Sequence, residues 1–257
     1  MCTVTVLRVG DMLRLVCNRD ESRQRPSAYS PLITLAGRLH ALMPQDPAGR
    51  GTWIAANSAG LVFAILNTYP ETPRIESDPH RISRGLIIPS LLECAMLPEV
   101  AARLDGVVPS QFAPFRLLVA GAREVLEFVI RGDRLDPLAH PFTDPLLFTS
   151  SGLGDALVDG PRRLLFEQMF ATTRDLAAQQ DAYHAHRWRD RPALSVHMSR
   201  PDACTVSTTT VEVTSRQVRM IYEPSHGADG IPAGLIIDRE GVGRADMHAL
   251  VAAAFAS

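Results

Sequence analysis

The sequence predicts an α+β fold, and three observations carry that prediction. Its elements run strands, then helices, then strands, then a helix, an order that argues against repeated βαβ units. The first residues alternate apolar and polar positions around Gly10-Asp11, which spells a β-hairpin. Composition supplies a core: of 257 residues, 46% are hydrophobic and 21% charged, enough to bury one domain spanning 1–257.

Each element has a local reason. Cys2 to Val9 and Met12 to Cys17 alternate, and Gly10-Asp11 suits a two-residue type II′ loop, which wants glycine first. Val9 then faces Met12, Val4 faces Cys17, and Arg19 stands opposite Cys2 with Asn18 and Asp20 beside it. Trp53 to Asn57 and Leu61 to Asn67 form a second hairpin, in which Gly60 takes the positive φ of a G1 bulge. Ser83 caps a helix over Arg84 to Cys94, and Leu97-Pro98-Glu99 starts another with proline in its first turn. Phe115 to Gly121 and Glu124 to Arg131 make a third hairpin, Asp136 to Pro145 reads as a proline-rich loop, and Leu146 to Ser151 is a strand. Helical stretches begin at Gly160 and Thr173, the second carrying His184 and His186 on a surface helix. Thr205 to Val213 and Gln217 to Glu223 form a late hairpin, and ADMHALVAAAFA closes with a helix.

The same composition excludes several classes. A formal charge of -2 offers no basic excess for a phosphate backbone, so no nucleic-acid partner is expected. No stretch approaches the roughly 18 to 20 apolar residues of a membrane span, and no signal peptide is visible, so a bacterial cytoplasm is the expected setting. All 26 basic residues are arginine, which excludes Schiff-base lysines and the P-loop. Cys2, Cys17, Cys94 and Cys204 lack CxxC spacing, so neither a disulfide framework nor a metal site is expected, and no cofactor.

The chemistry concentrates at the start. Cells readily remove an initiator methionine before a small residue, and Cys2 would then carry a thiol and a free α-amine. A thiol near pKa 8.5 beside an amine near 7.7 to 8.0 joins nucleophile and base in one residue. Arg19 would favour the thiolate, and Asp20 would orient the ammonium. The competing structural reading makes Cys2 a buried strand residue and Arg19 and Asp20 a salt bridge.

MCT at the start, NRDE at Asn18 to Glu21, TWIAANSAGLVFAILNTY at Thr52 to Tyr69 and SRG at Ser83 to Gly85 together resemble the NRDE family, whose eukaryotic members are called transport and Golgi organisation protein two. That family is similar to N-terminal-nucleophile hydrolases of the choloylglycine and penicillin V acylase type. The resemblance implies a four-layer αββα sandwich, two antiparallel sheets face to face with helices outside. It also implies Cys2, Arg19, Asp20 and Asn67 as the catalytic set, Asn67 matching the family's strand-terminal asparagine as an oxyanion donor. Asn18, Glu21, Trp53 and Asn57 are the substrate-binding candidates from the matched motifs. Ser150 and Ser151 stand where related acylases place an asparagine, in a glycine-permitted turn that could form an anion nest. SRPDACTVSTTTV is similar to the serine-rich strand of choloylglycine hydrolases, but threonine replaces its arginine, so Arg200 could substitute only from outside the strand. This departure argues against bile-acid or penicillin chemistry. Two readings follow for a small-molecule partner: a hydrolase of an amide or acyl bond, or a non-catalytic carrier of haem, acyl-CoA or another lipid-like ligand. Self-association into a homo-oligomer is left open.

Overall fold

A computed structural model describes residues 2–69, 81–171, 173–225 and 231–239. The N-terminal hairpin forms as its pattern dictates: β1 (Cys2–Val9) pairs antiparallel with β2 (Met12–Ser22), with Val9 opposite Met12 and Cys2 opposite Arg19. Gly10 has φ +58 while Asp11 is not left-handed, which fits the type II′ loop.

Two antiparallel sheets are built from thirteen strands among the described residues. The first places β1 and β2 between β10 (Leu146–Ser150) and the late hairpin of β11 (Ala203–Val213) and β12 (Gln217–Pro224), with β13 (Ala233–Asp238) at its edge. The second runs in chain order: β3 (Tyr29–Ala36), β4 (Leu39–Gln45), β5 (Ile54–Asn57), β6 (Val62–Asn67), β7 (Phe115–Ala120), β8 (Glu124–Arg131) and β9 (Arg134–Pro141). One continuous apolar cluster joins the facing sides of the sheets, with Val4, Leu15, Val211 and Met220 from the first and Ile54, Phe63 and Leu117 from the second. Burying each such side chain is worth roughly 1.5 to 3 kcal/mol relative to leaving it exposed. A smaller cluster of Leu147, Phe166, Tyr183 and Val196 fastens α3 (Asp155–Phe170) and α4 (Leu176–Ala185) to the outer face of the first sheet. The helices α1 (Ile87–Leu91) and α2 (Leu97–Leu104) cover the second, where Asn57 Nδ2 donates to the Leu92 and Cys94 carbonyls. This is the four-layer α+β sandwich.

Several expectations are corrected. Asp136 to Pro145 is not all loop, because β9 occupies its first part; it is an edge strand, where donors are needed on one side only and Pro137 and Pro141 are tolerated. Strands β3, β4 and β13 arise where the sequence signals no element, for they are sheet edges or near-edges with mixed polarity. The helix after Ser83 splits into a 3₁₀ turn, Arg84–Leu86, and the short α1, and Ser83 makes no side-chain cap. The surface helix bearing His184 and His186 ends at Ala185, so His184 is buried against the first sheet while His186 lies in extended chain. The closing helix expected over ADMHALVAAAFA lies outside the described residues.

Candidate active site

Alternation along β1 turns Cys2, Val4 and Val6 toward the second sheet, and pairing puts Arg19 and Cys17 on the same inner face. At the open end of this face lies a cavity of about 190 Å³ lined by Cys2, Arg19, Asp20, Glu21, Arg25, Asp46, Trp53 and Asn67, and also by Ser83, Arg84 and Gly85. Cys2 is 4% exposed, so its thiol meets this cavity rather than bulk water. A hydrogen bond from the Cys17 thiol, with smaller contributions from the chain-terminal ammonium and then the Arg19 charge, holds the Cys2 thiol below its ordinary pKa against burial and the Asp20 charge. Cys17 moves the other way, raised by the same hydrogen bond and by burial. The Cys2 backbone nitrogen donates to Ser150 Oγ at 3.1 Å, across the β1–β10 pair.

The charges are mostly paired. Arg19 lies over the Trp53 ring at 4.3 Å and stands 3.6 Å from both Glu21 and Asp46. Arg25 contacts Asp46 at 2.5 Å, and although burial alone would raise Asp46, the Arg25 hydrogen bond and charge hold it below its usual range. Asp20 forms no salt bridge with Arg19; its carboxylate accepts from Thr205 Oγ1 at 2.6 Å and lies 3.9 Å from Arg162 of α3. Burial pushes the Asp20 carboxyl up, and Arg162 and Thr205 offset it only in part. Asn67, which lines the cavity, donates from Nδ2 to the Tyr69 hydroxyl at 3.0 Å.

The structure thus gathers Cys2, Arg19, Asp20, Glu21, Trp53 and Asn67, with Ser150 behind the Cys2 nitrogen. The other candidates go elsewhere. Asn18 points to the helix side, where Nδ2 donates to the carbonyls of His184 and Val196 and Oδ1 accepts from His184 Nδ1 and Thr208. Asn57 serves the α1 side of the second sheet. The nest expected at Ser150-Ser151 is already spent, because Ser151 N–H donates to Asp155 Oδ1 and Leu153 N–H to Ser151 Oγ. Arg200 pairs with Asp202 at 2.9 Å, does not line the cavity, and acts on Asp20 through its charge. The sequence reading missed Arg25, Asp46, Tyr69, Arg84 and Arg162. Tyr69 and Arg84 sat inside quoted motifs, whereas Asp46 and Arg162 carry no local signal.

A family model described as Transport and Golgi organisation 2 matches residues 1–187. No curated protein matches in sequence. Similar solved structures include the penicillin V acylase from Agrobacterium tumefaciens, at 10% identity and a TM-score of 0.52 over 93% of this chain and 86% of that one. The Caenorhabditis elegans N-acylethanolamine-hydrolyzing acid amidase ortholog matches at 14% identity and a TM-score of 0.54 over 81% of this chain and 91% of its own. The C2A mutant of the conjugated bile acid hydrolase from Clostridium perfringens matches at 12% identity and a TM-score of 0.54, over 97% and 96% of the two chains. At these identities the likeness is one of fold, that of N-terminal-nucleophile hydrolases.

Proposed function

The chain belongs to the Transport and Golgi organisation 2 family, and from that premise we propose that it is a cysteine N-terminal-nucleophile hydrolase, cleaving an amide or acyl bond of a small molecule with Cys2 exposed by removal of Met1. The observation that carries this reading is the Cys2 thiol, lowered in pKa and facing a charged cavity. Once Met1 is gone, the Cys2 nitrogen becomes an α-amine already seated on Ser150 Oγ, placed to take the thiol proton. The thiolate attacks the substrate carbonyl and forms a C–S bond. Asn67 stands in the cavity wall as a donor to the oxyanion, and the α-ammonium returns its proton to the leaving group as the old bond breaks. Water then hydrolyses the thioester. Asp20 and Arg162 hold the strand end that carries this geometry, and Arg19 balances the thiolate charge.

The carrier reading fits less well. The apolar ring of a haem or the acyl chain of an acyl-CoA, lying in this cavity, would face the charged wall of Arg19, Asp20, Glu21 and Arg84, at a desolvation cost. A reducing cytoplasmic setting is part of the proposal, consistent with four free thiols; no helix among the described residues is long and apolar enough to cross a membrane.

Alkylation tests the mechanism. With iodoacetamide at neutral pH, processed protein should label at Cys2 ahead of Cys17, Cys94 and Cys204, and a form that keeps Met1 or an N-terminal tag should label Cys2 more slowly. Equal rates in the two forms would remove the amine as base and move the carrier reading ahead.

A further inference from the structure

We propose that Arg84 is the substrate anchor of this site and that it selects substrates bearing an anionic oxygen group, a carboxylate or phosphate, next to the scissile bond; the inference rests on Cys2 being the nucleophile. The first observation is a charge left over. Around the cavity Arg25 is matched by Asp46, Arg19 by Glu21 and Asp46, and Asp20 by Arg162. Arg84 has no carboxylate within ion-pair distance among the described residues; its Nη1 donates to the Pro114 carbonyl at 2.8 Å, and its remaining donors bond no described group. Among the described residues, this guanidinium, drawn partly out of water and held by one neutral acceptor, meets no anion that its fork geometry fits.

The second observation is where it stands. A β-carbon on Gly51 would fall 2.2 Å from the Gly85 carbonyl, and Thr52 N–H donates to that same oxygen at 3.0 Å. Two bare backbones in contact therefore press the Arg84–Leu86 turn onto the segment entering β5 and bring Arg84 into the wall supplied by the second sheet. Cys2 enters from the first sheet. A substrate between them presents its carbonyl to one sheet and its anion to the other, and the guanidinium fixes which bond lies against sulfur.

The test compares reagents of one shape and two charges. In processed protein, Cys2 should react faster with iodoacetate, relative to iodoacetamide, than a free thiol does. Arg84→Gln should cut that ratio roughly tenfold, and Arg84→Lys, which keeps the charge but not the fork, should fall between that variant and the native protein. An unchanged ratio in folded Arg84→Gln overturns the proposal while leaving the nucleophile intact. If Cys2 reacts with neither reagent, the nucleophile reading falls and takes the anchor with it. A second measurement needs no variant: acetate and inorganic phosphate should each slow iodoacetamide at Cys2 in the native protein, whereas acetamide should not. Slowing by acetate alone assigns the carboxylate, by phosphate alone the phosphate, and by neither overturns the proposal.

Discussion

Asp20 shows how one buried residue changes an expectation. Along the chain its evident neighbours are Arg19 and the terminus, and a pure positioning role follows. In the fold it is the partner of Arg162, which is 1% exposed and whose guanidinium among the described residues otherwise bonds Thr3 Oγ1 and the carbonyls of Leu194 and Ser195. Asp20→Asn therefore leaves a guanidinium buried without a counter-charge, and urea denaturation should show a loss of about 3 kcal/mol. The double variant Asp20→Asn with Arg162→Met should recover part of that loss, since it removes the orphaned charge as well. Strict additivity of the two single losses would show that the pair does not interact. The lowered Cys2 thiol has the same lesson: its largest cause is Cys17, a residue fifteen positions away that strand pairing makes a diagonal neighbour.

At the scale of elements, the N-terminal hairpin was legible to the last pair because a period of two and a Gly-Asp loop leave one register. The elements that escaped were those whose sequence lacks that pattern. Edge strand β9 carries two prolines, and β3 exposes Tyr29, Leu32 and Leu35, so neither alternates cleanly. The turn that carries Arg84 is specified by a contact between glycines far apart in the chain. Gly51→Ala should therefore act well beyond its size: its methyl meets backbone, which cannot swing aside, and must push the 3₁₀ turn off the β5 entrance. A stability loss of roughly 1 to 3 kcal/mol in urea denaturation is expected, together with loss of the iodoacetate preference at Cys2. Retained stability would mean that the two segments separate without cost.

For the whole molecule, the packing of α4 on the first sheet sets a pH dependence. Burial, with the Arg14 and Arg162 charges, pushes His184 down to about 3, while Thr5 donates to its Nε2 and Asn18 accepts from its Nδ1. The folded pKa is depressed below the unfolded value near 6.5, so the neutral ring's contribution is complete above pH 6.5 and is lost as pH falls toward 3, when the unfolded chain takes up a proton that the folded one refuses. The slope is about 1.4 kcal/mol per pH unit inside that window. Asp20, raised by burial, acts oppositely below neutral pH and blunts the lower end. Urea midpoints between pH 7 and pH 4 should fall accordingly, and the slope should flatten in His184→Gln; a flat wild-type profile would contradict the buried network.

Sequence alone determined the α+β class, the register that sets Cys2 against Arg19, and the family motifs, because each depends on residues close in the chain or on a fixed period. Tertiary structure decided which of the motif residues face the cavity. Asn18 and Arg19 are adjacent, yet the pleat sends one to the helices and the other to the site, and only the sheet's position between two layers tells which side is which. It also supplied Asp46, Arg84 and Arg162, whose meaning comes from the charges opposite them after the chain has closed, and a charge gains or loses its partner through space rather than along the sequence.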